Sequence, residues 1–318
     1  MKTHRLLFAA ALLAATLPLA AALLAATLPL AAAPQIIELW PEGVPGLKPD
    51  ATPEKEVRGT FSNIHHPSLM VYPPAGKPNG TGIVFCAGGG YIHVAVGVNG
   101  GAITKWLNSL GVTVFVLKDR SVEYGHPAPL QDVLRAMRIV RSRAAEWGLR
   151  ADHLGVMGGS AGGHLSASAG TLYDAPEGRT GSPLDSVNAR PDFMVLIFPV
   201  LTMEDPYAHK ASRKALLGDN PSEELKRHLS MELQVTKNTP PTFLVHSSAD
   251  HTVPVENSLM FYQAMRNAGA SIEMHLYPLG PHGSGLDPKL GPISHWPTLC
   301  EWWMRFNGWL PPLEPGQG

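Results

Sequence analysis

Unbroken apolar runs of five or six residues recur along the chain and alternate with longer stretches where apolar positions return every three or four residues. The runs are Gly82-Ile83-Val84-Phe85-Cys86, Val112 to Leu117, Leu154 to Gly158, Phe193 to Phe198, Thr242 to His246 and Ile272 to Tyr277. A strand with no polar alternate is covered on both faces. Ile36 to Trp40 and Ser68 to Tyr72 predict short extended segments at the N-terminal edge. Helices are predicted at Gly101 to Leu110, Leu165 to Leu172, Pro254 to Ala268 and His295 to Asn307. A longer one follows from Leu130, Val133, Leu134, Met137, Val140, Ala144 and Trp147 at helical spacing, about five turns with Arg135, Arg138, Arg141 and Glu146 on the solvated side. This alternation predicts one α/β domain, a doubly wound, mostly parallel sheet with helices on both faces.

Two stretches break the rhythm. Residues 201–240 lie between two strands without contributing one, and carry Met203-Glu204-Asp205, Lys210 to Leu217 and the charged Ser222 to Gln234. They are expected to form a small lid-like insertion in a catalytic domain spanning 34–311, followed by a tail at 312–318. Residues 1–33 begin with Lys2, His4 and Arg5 and then carry no charge until Glu38, with an 11-residue unit occurring at 11–21 and again at 22–32. A positive start and an apolar run describe a signal peptide, whereas the length of the run raises an uncleaved anchor as the rival. Pro18, Pro29 and the alanine content favour cleavage near Ala31 to Ala33, and so a secreted or periplasmic protein.

Of the 318 residues, 44% are hydrophobic and 16% charged, an ordinary globular balance for one large domain. Lys2 and Arg5 are the only Lys or Arg in 1–33, so the remainder has 23 basic against 26 acidic residues, a net charge of −3. That excludes an electrostatic case for nucleic acid or an anionic membrane as partner; the oligomeric state is not encoded. The two cysteines, Cys86 in a buried-strand pattern and Cys300 on a C-terminal helix, read as buried thiols rather than a bridge.

The chemistry is concentrated at Gly158-Gly159-Ser160-Ala161-Gly162, a Gly-x-Ser-x-Gly turn between a strand and a small-residue helix. A serine on so sharp a turn needs small neighbours, and its hydroxyl stands above the sheet. Neither a Gly-Lys-Ser/Thr phosphate loop nor a Gly-x-Gly-x-x-Gly fingerprint is present. A serine nucleophile needs a base and an orienting acid. Asp250 ends the strand Phe243 to Ser248, His282 follows the last strand in Gly280-Pro281-His282-Gly283, and the order Ser, Asp, His suits this sheet. Glu204 or Asp205 is the runner-up acid; His246, His251 and His164 are the nearby alternatives to His282, with His164 read as packing or lining the pocket. Cys86-Ala87-Gly88-Gly89-Gly90-Tyr91 leaves a strand through three glycines, so the amides of Gly89 or Gly90, with that of Ala161, form the expected oxyanion hole. No His-Glu-x-x-His spacing occurs, His65-His66 reads as a loop pair, and no metal or cofactor is required. Tyr91, Tyr124 and Trp296 are candidate sugar contacts; Trp302 is assigned to the core.

Beyond these parts the chain resembles the α/β-hydrolase fold, and within it the carbohydrate esterases that remove acetyl groups from xylan and related plant polysaccharides. The resemblance rests on Gly88 to Tyr91, Trp106 to Val112, Pro127 to Asp132, the elbow Gly158 to His164, Asp250 to Ser258 and Pro281 to Gly283, and covers most of 36–310. It implies Ser160 as nucleophile, His282 as base, Asp250 as orienting acid, an acetyl-enzyme intermediate, and an acetylated carbohydrate or other small ester as substrate. Feruloyl esterases and general short-chain carboxylesterases are the neighbouring implication; an aminopeptidase or amidase would call for paired acids that the sequence lacks. Two departures stand out: Ala87 where such esterases commonly carry proline, and Lys118-Asp119-Arg120 in place of Lys-Tyr-Arg. Asp119 bears on the polarity of the pocket wall.

Overall fold

A computed structural model describes residues 34–49, 52–97 and 101–313. Residues 1–33, read as a signal peptide, and most of the tail read at 312–318 lie outside the described residues. Eight strands form one sheet: β1 (Gln35–Glu38), β4 (Ser68–Tyr72), β5 (Gly82–Cys86), β7 (Thr113–Lys118), β8 (Leu154–Gly159), β9 (Phe193–Ile197), β10 (Thr242–Ser247) and β11 (Ile272–Tyr277). Their spatial order is β1-β4-β7-β5-β8-β9-β10-β11. β1 pairs antiparallel with β4 and β4 with β7; all other pairings are parallel.

The unbroken apolar runs are explained by two cores, one on each side of this sheet. In β5, Val84 and Cys86 face one core while Ile83 and Phe85 face the other, and in β9 Met194 and Leu196 oppose Phe193, Val195 and Ile197. Period-two alternation persists, but both phases are buried. Helices α2 (Ala128–Ser142), α3 (Ala161–Thr171) and α6 (Glu256–Ala268) cover the first core. Helices α1 (Gly101–Ser109) and α7 (Trp296–Phe306) cover the second. Cys86 and Cys300 are free, buried thiols belonging to the two different cores.

The structure corrects several expectations. Helix α2 stops at Ser142, and the predicted last turn is a separate 3-10 turn, Ala144–Trp147, closed by Gly148 at φ +65°. The arginine face of α2 is not solvated: Arg135 and Arg138 are only 4% and 2% exposed. Arg135 pairs with Glu42 at 2.6 Å, Arg138 with Asp185 at 3.1 Å and Arg141 with Asp192 at 3.2 Å. Loops without periodicity of their own fold over that face and bring the carboxylates. In α7 the apolar stripe is Trp296, Cys300, Trp303 and Met304, so Trp302 falls outside it and is 57% exposed. A second, antiparallel sheet of β2 (Lys55–Val57), β3 (Thr60–Ser62) and β6 (Val94–Ala95) was not foreseen, its strands being two or three residues long and mostly unburied. Within 201–240 lie α4 (Lys210–Leu217), α5 (Glu223–His228) and the turn Met231–Leu233. Among the described residues, no helix is long and apolar enough to cross a membrane.

Candidate active site

Strand β8 delivers Ser160 to the rim of the sheet and α3 carries the chain away. Ser160 sits at φ +56°, ψ −126°, a region that L-residues rarely adopt and that persists only where the surroundings impose it. The glycine requirement here is one of space. A Cβ on Gly162 would stand 2.1 Å from the Cys86 carbonyl oxygen, so the helix start can approach β5 only without a side chain.

The elbow, the β10 end and the loop after β11 converge. Ser160 Oγ lies 2.9 Å from His282 Nε2, and His282 Nδ1 lies 2.7 Å from Asp250 Oδ2. A carboxylate only accepts, so Nδ1 carries the proton and Nε2 is free to receive the Ser160 hydroxyl. Phe198 packs edge-on against the imidazole with ring centroids 4.9 Å apart. Asp250 Oδ1 accepts from the amides of Thr252 and Val253 at 2.9 and 3.0 Å. Burial alone would raise this acid. The hydrogen bonds from His246, His282 and the two amides outweigh it and hold the carboxyl far below the usual carboxylate range, so it stays ionised. Glu204 and Asp205 are engaged elsewhere, with Arg227 and Arg213.

His246, named in the sequence only as an alternative to His282, is instead a second partner of Asp250. Its Nε2 stands 3.2 Å from Asp250 Oδ2 and 3.2 Å from the Val253 carbonyl, both acceptors, so Nε2 bears the proton while Nδ1 accepts from Ser258 Oγ at 2.7 Å. The available signal was a histidine inside an otherwise apolar strand, four residues before the acid.

Ser160 and His282 open on a cavity of about 350 Å³. Gly88, Gly89 and Gly90 line one side, and Phe85, Ala95, Ile103, Ile197 and Phe198 make an apolar wall. Gly89 has φ +143°, and a Cβ there would lie 1.9 Å from the His93 carbonyl oxygen, which fixes glycine at the turn. Ala161 is the first residue of α3, where an amide has no acceptor within its own helix. His209, from the insertion, also lines the cavity, its Nδ1 2.8 Å from Ser212 Oγ. Nothing in the charged stretch 201–240 marks it in sequence.

The proposed sugar contacts are placed otherwise. Trp296 is fully buried and packs against Trp106 at 5.4 Å in the second core. Tyr91 and His164 are buried against each other, Oη to Nδ1 at 2.8 Å, with His164 Nε2 2.8 Å from the Leu229 carbonyl. Tyr124 bonds His65 at 2.8 Å. None of the four lines the cavity, because each is claimed by an internal partner. Asp119 is buried beside Tyr91 and Ala161 at a separate small void and does not form the cavity wall.

The sequence and fold have known relatives. Residues 69–265 match the family described as BD-FAE. An acetylxylan esterase of Xylanibacter ruminicola is 34% identical over 231 residues, 69% of this chain and 46% of that protein. Endo-1,4-beta-xylanase B of Butyrivibrio fibrisolvens is 37% identical over 158 residues, 50% of this chain and 25% of that protein. The chain thus spans less than half the length of either relative. Among solved structures, an acetyl ester-xyloside bifunctional hydrolase from Caldicellulosiruptor lactoaceticus superposes with a TM-score of 0.77 at 37% identity, over 87% of this chain and 98% of that one. An esterase from Thermogutta terrifontis, 23% identical, shares the fold with a TM-score of 0.67 over 84% of this chain and 97% of that one. With the match running from β4 into α6 and taking in the elbow and Asp250, the chain belongs to the BD-FAE family.

Proposed function

We propose that the chain is a serine carboxylic-ester hydrolase that removes acetyl groups from xylan or a related plant polysaccharide. The observation that carries this reading is the 2.9 Å contact from Ser160 Oγ to a His282 imidazole held by Asp250, at the wall of a glycine-lined cavity. His282 Nε2 takes the Ser160 proton as Oγ attacks the ester carbonyl. The amides of Gly89 or Gly90 and of Ala161 receive the oxyanion, a kind of donor worth roughly 10²–10³ in turnover each. Protonated His282 hands its proton to the leaving sugar hydroxyl, an acetyl-enzyme remains on Ser160, and water activated by the same nitrogen releases acetate. Asp250 stays ionised throughout and stabilises the imidazolium.

The size and apolar wall of the cavity favour a second reading, a feruloyl or short-chain carboxylesterase, because an acetyl group fills little of about 350 Å³. Acetylated xylan, feruloylated arabinoxylan, a triglyceride and an aminoacyl anilide separate the readings. Acetate release from the first with little turnover of the others is expected. A fluorophosphonate label should attach to the wild type and not to Ser160→Ala, and full esterase activity in that variant would overturn the site. Residues 1–33 are proposed to direct secretion, with no electrostatic attraction to nucleic acid at a net charge of −3 for the remainder. N-terminal sequencing of exported protein tests the cleavage.

A further inference from the structure

Outside the cavity at Ser160, three segments bring metal-binding side chains together. His126 precedes α2, Glu177 lies in the 3-10 turn Pro176–Gly178, and His228 is the last residue of α5 in the insertion. One ligand atom from each lies within 4.8 Å of the other two. We propose that His126, Glu177 and His228 bind one divalent transition-metal ion of the zinc class, with a fourth position open to water.

Two imidazoles and one carboxylate are a donor set suited to zinc, which takes three protein ligands and a water at bonds of about 2.0–2.1 Å. Tetrahedral ligands on such bonds stand about 3.3 Å apart. The present spacing brackets that value, since His228 Nε2 is already 2.6 Å from Glu177 Oε1. All three residues are partly exposed, none being sealed from solvent. A simple ion pair accounts for His228 and Glu177 but not for the second imidazole. Among the described residues neither ring nitrogen of His126 has a hydrogen-bond partner, and its ring lies 6.2 Å from that of His228.

Backbone hydrogen bonds fix the segments that carry two of these ligands. The Glu177 carbonyl accepts from Gln131 Nε2 at 3.1 Å, and the His126 amide donates to the Leu216 carbonyl at 2.8 Å. Bound there, the ion crosslinks the insertion to the helix layer over the sheet. Leu229, next to His228, accepts through its carbonyl from His164, whose Nδ1 accepts from Tyr91 beside Gly90. The clamp therefore acts on the insertion where it touches the glycine loop.

The test is binding of Zn²⁺ alone to the full chain after stripping with a chelator, and it reads no esterase activity. Calorimetry is expected to find one equivalent that is lost in His228→Gln and in Glu177→Gln, and Zn²⁺ is expected to raise the Tm of the wild type and of neither variant. Co²⁺ should give the visible bands of a tetrahedral centre with nitrogen ligands, abolished in His126→Gln. Circular dichroism on metal-free protein establishes that the variants are folded; should one not be, the other two decide. Equal Zn²⁺ binding by wild type and folded variants, or no binding by wild type, overturns the proposal.

Discussion

His246 Nε2 lies 3.2 Å from the same Asp250 oxygen that His282 Nδ1 approaches at 2.7 Å, so one carboxylate oxygen receives two imidazole protons. The more distant imidazole fixes the direction of the carboxylate and thereby of His282. A hydrogen bond to a charged group is worth roughly 1.5–3 kcal/mol. His246→Ala is therefore expected to lower kcat on a chromogenic acetate by about tenfold or more with KM unchanged. Asp250→Asn turns an amide toward His282 Nδ1 and favours the wrong tautomer; it should cost roughly 10⁴ in kcat without unfolding the protein. An unaffected rate in Asp250→Asn would return the acid to Glu204 or Asp205.

Acyl size should be set by the apolar wall. Ala95, the last residue of β6, lines the cavity. Ala95→Leu fills part of that space and is expected to reduce turnover of butyrate relative to acetate by about tenfold, the scale on which a pocket discriminates a methylene or two. Paired kcat/KM values for p-nitrophenyl acetate and butyrate check this; an unchanged ratio would move the acyl group elsewhere.

Stability should fall on mild acidification. His164 is fully buried, and burial lowers its pKa to about 4. The unfolded imidazole titrates near 6.5, so the unfolded chain binds the extra proton first. The contribution is complete above about 6.5 and is lost as pH falls toward 4, at up to about 1.4 kcal/mol per unit. His126 shifts in the same direction. Asp250, depressed instead below the carboxylate range, loses its contribution only under about pH 4. Urea unfolding at pH 7, 5.5 and 4.5 should show a slope in the wild type that is shallower in His164→Asn. Equal slopes would place the titration elsewhere.

Arg120 and Asp132 form a fully buried pair at 2.8 Å, with the Trp40 indole N–H also donating to Asp132 Oδ1 at 2.8 Å. Arg120→Met strands the carboxylate and should cost about 3–5 kcal/mol in urea unfolding, whereas the double variant Arg120→Met/Asp132→Leu should recover much of that loss. A single variant within 1 kcal/mol of wild type, roughly a surface effect, would show that the pair is not needed.

The order of strands and helices, the elbow around Ser160 and the order serine, acid, histidine were legible in the chain because they are local. Each depends on spacing along a few residues, on glycine where backbone approaches backbone, or on apolar runs whose both faces are covered. What the tertiary structure alone decided is which polar groups meet. Arg135 and Arg138 read as solvated because nothing in α2 announces that loops from either side will cover them with carboxylates. Trp296, Tyr91 and Tyr124 read as sugar contacts because the partners that claim them are distant in sequence. The same reason hid His246 behind Asp250, His209 at the cavity, and the meeting of His126, Glu177 and His228. A side chain's chemistry is written in its type, but its partner is chosen only when the folded sheet brings remote segments to one rim.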